Sequence, residues 1–256
     1  MLSRVETLLM INHLKHWGLI VMDNLFPRFC IACQRRLLLN ERYICIDCLC
    51  DMPFTHFNGE KGNIIERITC DDVVSTERAN SLLFYRSQSK FCHIYFHFKY
   101  HNHPEVAVEM GRMMANELKD TDFFNGIDCM VPVPLSTQRF KKRGYNQSER
   151  LAFGISEVTG IPIDTTSVIR SVDNPTQTNL NVQQRRDNVK NIFELVNAQA
   201  LHGKHVLIVD DVITTGSTTR ACAHAAAAAG DVTISIISLG TSSYNKKRKF
   251  ASEQRP

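Results

Sequence analysis

Val206, Leu207, Ile208 and Val209 form an apolar run that leads into two carboxylates, Asp210 and Asp211. Past Val212 and Ile213 come Thr214, Thr215, Gly216, Ser217 and Thr218. A continuous apolar, β-branched run predicts a strand buried on both faces of a parallel sheet, and open α/β sheets place ligands beyond the carboxyl ends of such strands. The hydroxyls and N–H groups of 214–218 feed an alanine-rich segment, which predicts a helix from about 219 to 229. A helix N-terminus leaves N–H groups unpaired and carries a partial positive charge, so a phosphate can settle there without a lysine. Asp210 and Asp211 cannot hold that phosphate directly. They suit sugar hydroxyls, which donate to carboxylates, or a bound Mg²⁺. The stretch predicts a site for a phosphorylated sugar.

Two other uses of similar residues do not fit. A receiver domain carries its aspartate pair after the first strand and a phosphoacceptor aspartate well downstream, but here only Asp231 and Glu253 follow. A Rossmann turn calls for spaced glycines, and this loop has one.

A second chemistry is written near the N-terminus. Cys30 and Cys33, then Cys45 and Cys48, form two C-x2-C pairs separated by eleven residues, the spacing at which four thiolates close a tetrahedron around structural Zn²⁺. Each pair puts two sulfurs on one tight turn, and a lone redox pair would not need the other. Cys50 is either a substitute ligand or a bystander. Cys70, Cys92, Cys129 and Cys222 are scattered and are expected to be small core hydrophobes.

The rest of the chain must position these two sites. With 256 residues there is room for one α/β domain and a small appendage. The net charge of +4 does not announce nucleic acid and is compatible with acidic ligands such as phosphates. No run approaches the roughly 20 apolar residues that cross a bilayer, and Arg4, Glu6, Asn12, His13, Lys15 and His16 interrupt any secretory core. The expectation is a cytoplasmic protein without membrane insertion, its residues 8–25 forming an amphipathic helix. The expected division is 1–57 (N-terminal helix and four-cysteine zinc module), 58–102 (linker or hood), 103–243 (α/β core) and 244–256 (basic, disordered tail). Residues 105–119 carry Val106, Met110, Met113, Met114 and Leu118 at helical spacing. A second buried strand is expected at 128–133, stopped by Pro132 and Pro134. The basic residues Arg139, Lys141, Lys142 and Arg143 follow, then a helix to about 158. Further strands are expected at 161–169, 193–196 and 232–239. The polar span 170–191 has little to bury and is expected to be functional.

In chain order, the paired cysteines, Arg143-Gly144-Tyr145-Asn146-Gln147, Asn174-Pro175-Thr176-Gln177-Thr178, Arg185-Arg186-Asp187-Asn188 and the Asp-Asp loop carry a resemblance. The loop resembles the signature of the type I phosphoribosyltransferases. The whole set resembles the ComF family, bacterial phosphoribosyltransferase-like proteins linked to natural competence, over 25–239. The resemblance implies an α/β fold: a phosphoribosyltransferase-like open parallel sheet flanked by helices, with a small N-terminal zinc-binding module of four cysteines. It implies that Asp210 and Asp211 hold the ribose of phosphoribosyl pyrophosphate and that Thr214, Thr215, Gly216, Ser217 and Thr218 wrap its 5′-phosphate, with Mg²⁺. Arg143 would stabilise the charge growing on pyrophosphate. Thr176, Gln177, Arg185 and Arg186 fall where such enzymes carry a lid. The implied activity is phosphoribosyl (glycosyl) transfer to an acceptor that no residue names, associated with competence and DNA uptake. The alternative is a non-catalytic zinc-bearing adaptor in DNA uptake or processing that binds single-stranded DNA, a helicase-type partner or other DNA-uptake proteins.

Overall fold

A computed structural model describes residues 22–71, 74–100, 103–171 and 192–242. The chain forms two compact units, Met1–Met52 with Gln88–Tyr95, and Pro53–Ser87 with Phe96–Pro256. Most of the expected N-terminal helix, the polar span 172–191 with Thr176, Gln177, Arg185 and Arg186, and the basic tail lie outside the described residues.

Among its described residues, the first unit is built around the cysteine pairs and the short helix α1 (Ile46–Cys50). Two side chains organise the loop between the pairs. Glu41 is buried and its two oxygens accept the N–H groups of Leu38 and Ile46, each at 2.7 Å. Those two N–H groups hold its carboxyl below the usual range. Arg28 donates to the carbonyls of Glu41 (2.7 Å) and Leu38 (3.1 Å). Each satisfies backbone groups that an irregular loop would otherwise leave unpaired.

The second unit is an α/β layer structure. Its strands are β1 (Thr76–Phe84), β2 (Cys129–Pro132), β3 (Val168–Arg170), β4 (Phe193–Leu195), β5 (His205–Ile213) and β6 (Thr233–Thr241). β1, β6, β5 and β2, in that order, form one sheet in which every pairing is parallel. The central pair explains itself from composition: residues 206–209 of β5 and 234–239 of β6 are apolar or small and all are buried. This is what a parallel strand covered on both faces requires.

The two faces have different partners. Residues at alternate positions, Val131, Val206, Ile208 and Ile236, share a core with Ala221, Cys222 and Ala226 of α8 (Ser217–Ala227) and with Ile65 of α2 (Ile64–Thr69). On the opposite face the sheet packs against α6 (Gln147–Thr159) and α4 (Pro104–Leu118). α3 (Cys92–Tyr100) begins in the first unit and ends in the second, α5 (Thr137–Arg143) follows β2, and the short α7 (Ala198–Leu201) precedes β5.

Two expectations need correction, and one helix lies where none was expected. The strand expected at 161–169 is broken in two: Ile163 makes an isolated parallel bridge with Met130, whereas Val168–Arg170 pairs antiparallel with β4 in a separate small sheet. Asp164 causes the break, because its carboxylate accepts the N–H groups of Thr166 (2.8 Å) and Ser167 (2.9 Å) and turns the chain. The basic run at 139–143 is helical, in α5, with Ser136 accepting the N–H of Arg139 at its start and Gly144 at φ 78° ending it. Cys70 is exposed, while Cys92, Cys129 and Cys222 are buried as expected.

Candidate functional site

In the first unit the sulfurs of Cys30, Cys33, Cys45 and Cys48 all lie within 4.8 Å of one another. A Zn–S bond of about 2.3 Å demands tetrahedron edges of about 3.8 Å, and Cys33 and Cys45 stand 3.7 Å apart. Backbone N–H groups point at the sulfurs, from Cys45 to Cys30 (3.4 Å) and from Cys48 to Cys45 (3.5 Å). Burial opposes ionisation of Cys30, yet the N–H groups of Cys45, Cys33 and Ala32 outweigh it and lower its thiol to about 7. Burial pushes Cys48 and Cys45 up, and the crowded sulfurs of Cys33 and Cys30 push the same way at both, while the N–H and sulfur of Cys48 oppose the rise at Cys45. A dication among four sulfurs relieves that crowding, so the donor set fits zinc. Cys50 is exposed and is not one of the four. Sequence reasoning missed Arg35 and Lys90: Arg35 reaches Asp47 and Glu41, and Lys90 donates to Asp51 at 2.9 Å. Both cations are held higher by nearby cysteines as well as by these acids.

In the second unit, β5 runs on to Ile213, so Asp210 and Asp211 belong to the final stretch of the strand rather than to the loop beyond it. Being consecutive in a strand, they point to opposite faces. Asp210 is 8% exposed; its Oδ2 accepts from the Thr219 hydroxyl (2.6 Å) and its Oδ1 from the Asp211 N–H (2.8 Å). Burial, and then the negative charge of Asp211, raise its carboxyl to about 7, against the Thr219 hydroxyl, the Asp211 N–H and Lys99. Asp211 is the more open of the two and pairs with Lys99 Nζ at 2.8 Å, each side chain about one-fifth exposed. Lys99 is a further residue the sequence reading missed. It falls in the alternating apolar and basic run of α3, which carried no hint of its partner.

The loop that follows is turned outward. Thr214, Thr215 and Thr218 are exposed, and the Thr215 and Ser217 hydroxyls lie 2.9 Å apart. Gly216 is the N-cap of α8 at φ 73°, and no side chain caps that helix. Glycine is required here twice over, since a Cβ would also lie 2.4 Å from the Ile68 carbonyl oxygen. The helix starts at Ser217, two residues earlier than expected, so Ser217 and Thr218 belong to its first turn. Uncapped N–H groups flanked by hydroxyls on a solvent-facing turn can accept an anion.

Arg143 ends α5, half-buried, and donates to Gln147 Oε1 at 2.7 Å; Arg139, Lys141 and Lys142 are exposed. Beyond the carboxyl end of β2, a cleft of about 320 Å³ opens beside Pro132 and Pro134.

No protein-family model matches the chain. Curated relatives do. The chain is 27% identical over 232 residues to the DNA utilization protein YhgH of Escherichia coli O157:H7, covering 82% of this chain and 95% of that one. The K12 strain's protein of the same name is 29% identical over 208 residues, covering 75% and 87%. Competence protein F of Haemophilus influenzae is 27% identical over 205 residues, covering 77% and 90%. These relatives support the resemblance to the ComF family. Among solved structures, the allosteric regulatory enzyme of purine biosynthesis and the glutamine phosphoribosylpyrophosphate amidotransferase of B. subtilis each overlap 55% of this chain. Identity is 24% and the TM-score 0.38 for both, and the chain spans 29% and 30% of their lengths, an overlap too slight to argue from. No described helix is long and apolar enough to cross a membrane.

Proposed function

We propose that the second unit binds phosphoribosyl pyrophosphate and transfers its phosphoribosyl group to an acceptor, in a protein that serves DNA uptake, and that the first unit carries structural zinc. The observation carrying the reading is the uncapped N-terminus of α8, with Ser217, Thr218 and the exposed Thr214 and Thr215 at the edge of β5, beside the partly exposed Asp211. The turn is the seat for a 5′-phosphate and Asp211 the acceptor for ribose hydroxyls, with Lys99 giving up or sharing that carboxylate when sugar arrives. Mg²⁺ would neutralise pyrophosphate charge when bound, and Asp211 is the open carboxylate this chain offers it. Asp210 takes a different part: through Thr219 it pins the end of β5 to the first turns of α8, fixing the phosphate seat against the sugar seat. The names of the relatives support the link to competence and DNA use.

One observation favours the non-catalytic adaptor instead: Asp210 is buried and already hydrogen-bonded on both oxygens. A titration separates the readings. Phosphoribosyl pyrophosphate with Mg²⁺ is expected to release binding heat with the wild type and little with an Asp210→Asn/Asp211→Asn variant that keeps its unfolding midpoint. Equal heats from both proteins would sink the ligand. Binding to the wild type without pyrophosphate release in the presence of any acceptor would leave the adaptor.

A further inference from the structure

Four of the ten histidines fall within residues 93–103, at 93, 97, 101 and 103, and neither site above uses them. His101 lies outside the described residues. His97 sits toward the end of α3, and His103 immediately precedes α4, with Pro104 at the first helical position. Their imidazole centres are 5.8 Å apart, with the ring planes at 49°. Two imidazoles on one divalent ion, each nitrogen about 2.1 Å from it, place their ring centres about 5.3 Å apart at the tetrahedral angle. The observed spacing corresponds to a modest opening of that angle.

His103 is oriented for such a role. An N-cap position favours Ser, Asp or Asn, whose oxygen accepts a first-turn N–H, but no side chain caps α4. The His103 Nδ1 lies instead 2.6 Å from Glu105 Oε1. An ionised carboxylate only accepts, so Nδ1 carries the proton, and in the neutral ring Nε2 keeps the lone pair. Among the described residues nothing is bonded to that second nitrogen. A carboxylate that fixes one ring nitrogen and leaves the other to an ion is how metal-ligating histidines are held. Both side chains are about half exposed, which gives an ion in solution a path to them.

Imidazole nitrogens suit transition ions of borderline softness, whereas Mg²⁺ and Ca²⁺ take oxygen ligands. Among the described residues, three or more converging ligand atoms occur at the cysteines alone. Here only two nitrogens would meet the ion, water would fill its other positions, and it would exchange readily. We propose that His97 and His103, the latter steadied by Glu105, form a second, open site for a divalent transition metal ion of the Zn²⁺ and Ni²⁺ class, bridging the end of α3 and the start of α4. The site depends neither on the phosphosugar reading nor on what the thiolates hold.

The test measures metal bound by the full chain. In equilibrium dialysis against micromolar free Zn²⁺, the wild type is expected to hold one equivalent more than His97→Gln or His103→Gln, whatever the cysteines retain. Glu105→Gln keeps both ligands but removes the orienting charge, and should weaken that extra equivalent by about ten-fold. His93→Gln and His202→Gln, at exposed positions outside the set, should keep it. Ni²⁺ titrated calorimetrically into the zinc-treated wild type should displace or join the labile ion with a heat that His103→Gln lacks. Circular dichroism checks that each variant folds. Equal zinc in the wild type and both ligand variants, loss of the extra equivalent with His93 or His202 instead, or an affinity indifferent to Glu105→Gln would overturn the assignment.

Discussion

His205 opens β5 with its Nε2 2.8 Å from the Ser235 hydroxyl of the neighbouring strand, and burial, followed by the charge of Arg78, holds its imidazole below the usual histidine value. The unfolded chain therefore takes up this proton at a higher pH than the folded one. Stability should be insensitive to this group above about pH 6.5 and should fall as pH drops from there through the folded value. Urea midpoints measured from pH 8 to pH 5 should show that fall, and a His205→Gln variant should show a shallower one; parallel curves would exclude His205 as the source. At this scale the sequence declared the chemistry of groups better than their company. The types and order of Asp210, Asp211 and 214–218 announced an acid pair before an anion turn. That Asp210 turns to Thr219 and Asp211 to Lys99 depends on how α8 and α3 pack, and nothing local in the chain encodes it.

α4 and α6 cross at two glycines. A Cβ on Gly111 would lie 2.1 Å from the Leu151 carbonyl oxygen, and one on Gly154 2.0 Å from that of Val108. Backbone meets backbone there, so relief requires moving a helix rather than turning a side chain. Gly154→Ala is expected to cost about 3 kcal/mol or more, at the upper end of overpacking effects, despite the better helix propensity of alanine. A denaturant melt beside that of Gly160→Ala, where a Cβ has nothing within 4 Å but the backbone is left-handed, would separate crowding from φ strain. Elements were legible where one periodicity ran uninterrupted, as in α4, β5 and β6. They were not where a side chain redirected the backbone. Asp164 divides an apolar run that alone predicts one strand, and a basic cluster concealed α5 because solvent-facing lysines and arginines give no apolar stripe.

At the level of the whole molecule, each unit has its own means of cohesion. The large hydrophobic cluster around the sheet draws on residues from Ile65 to Ile236 and, among the described residues, includes none from the first unit. Among its described residues the first unit has few elements and four clustered thiols, so its folding is expected to depend on metal. Chelation, or Cys45→Ser/Cys48→Ser, should abolish bound zinc and expose residues 22–52 to protease while leaving the sheet's far-ultraviolet signal and main unfolding transition in place. A single transition lost all at once would show instead that the sheet needs the metal. The four-thiolate layout was legible from spacing alone. The use of residues 88–95 by the same unit was not, because no spacing rule links them to the cysteines.

That return of the chain has a practical consequence. A fragment beginning at Pro53 would amputate the cysteine module but retain Phe91, Cys92, Ile94 and Tyr95, all buried in the intact protein. Stripped of their cover, these side chains would form a sticky apolar strip, and the fragment should clump where the full-length chain stays dispersed. Removing the module cleanly calls for two excisions, the second replacing 88–95 with a short polar splice.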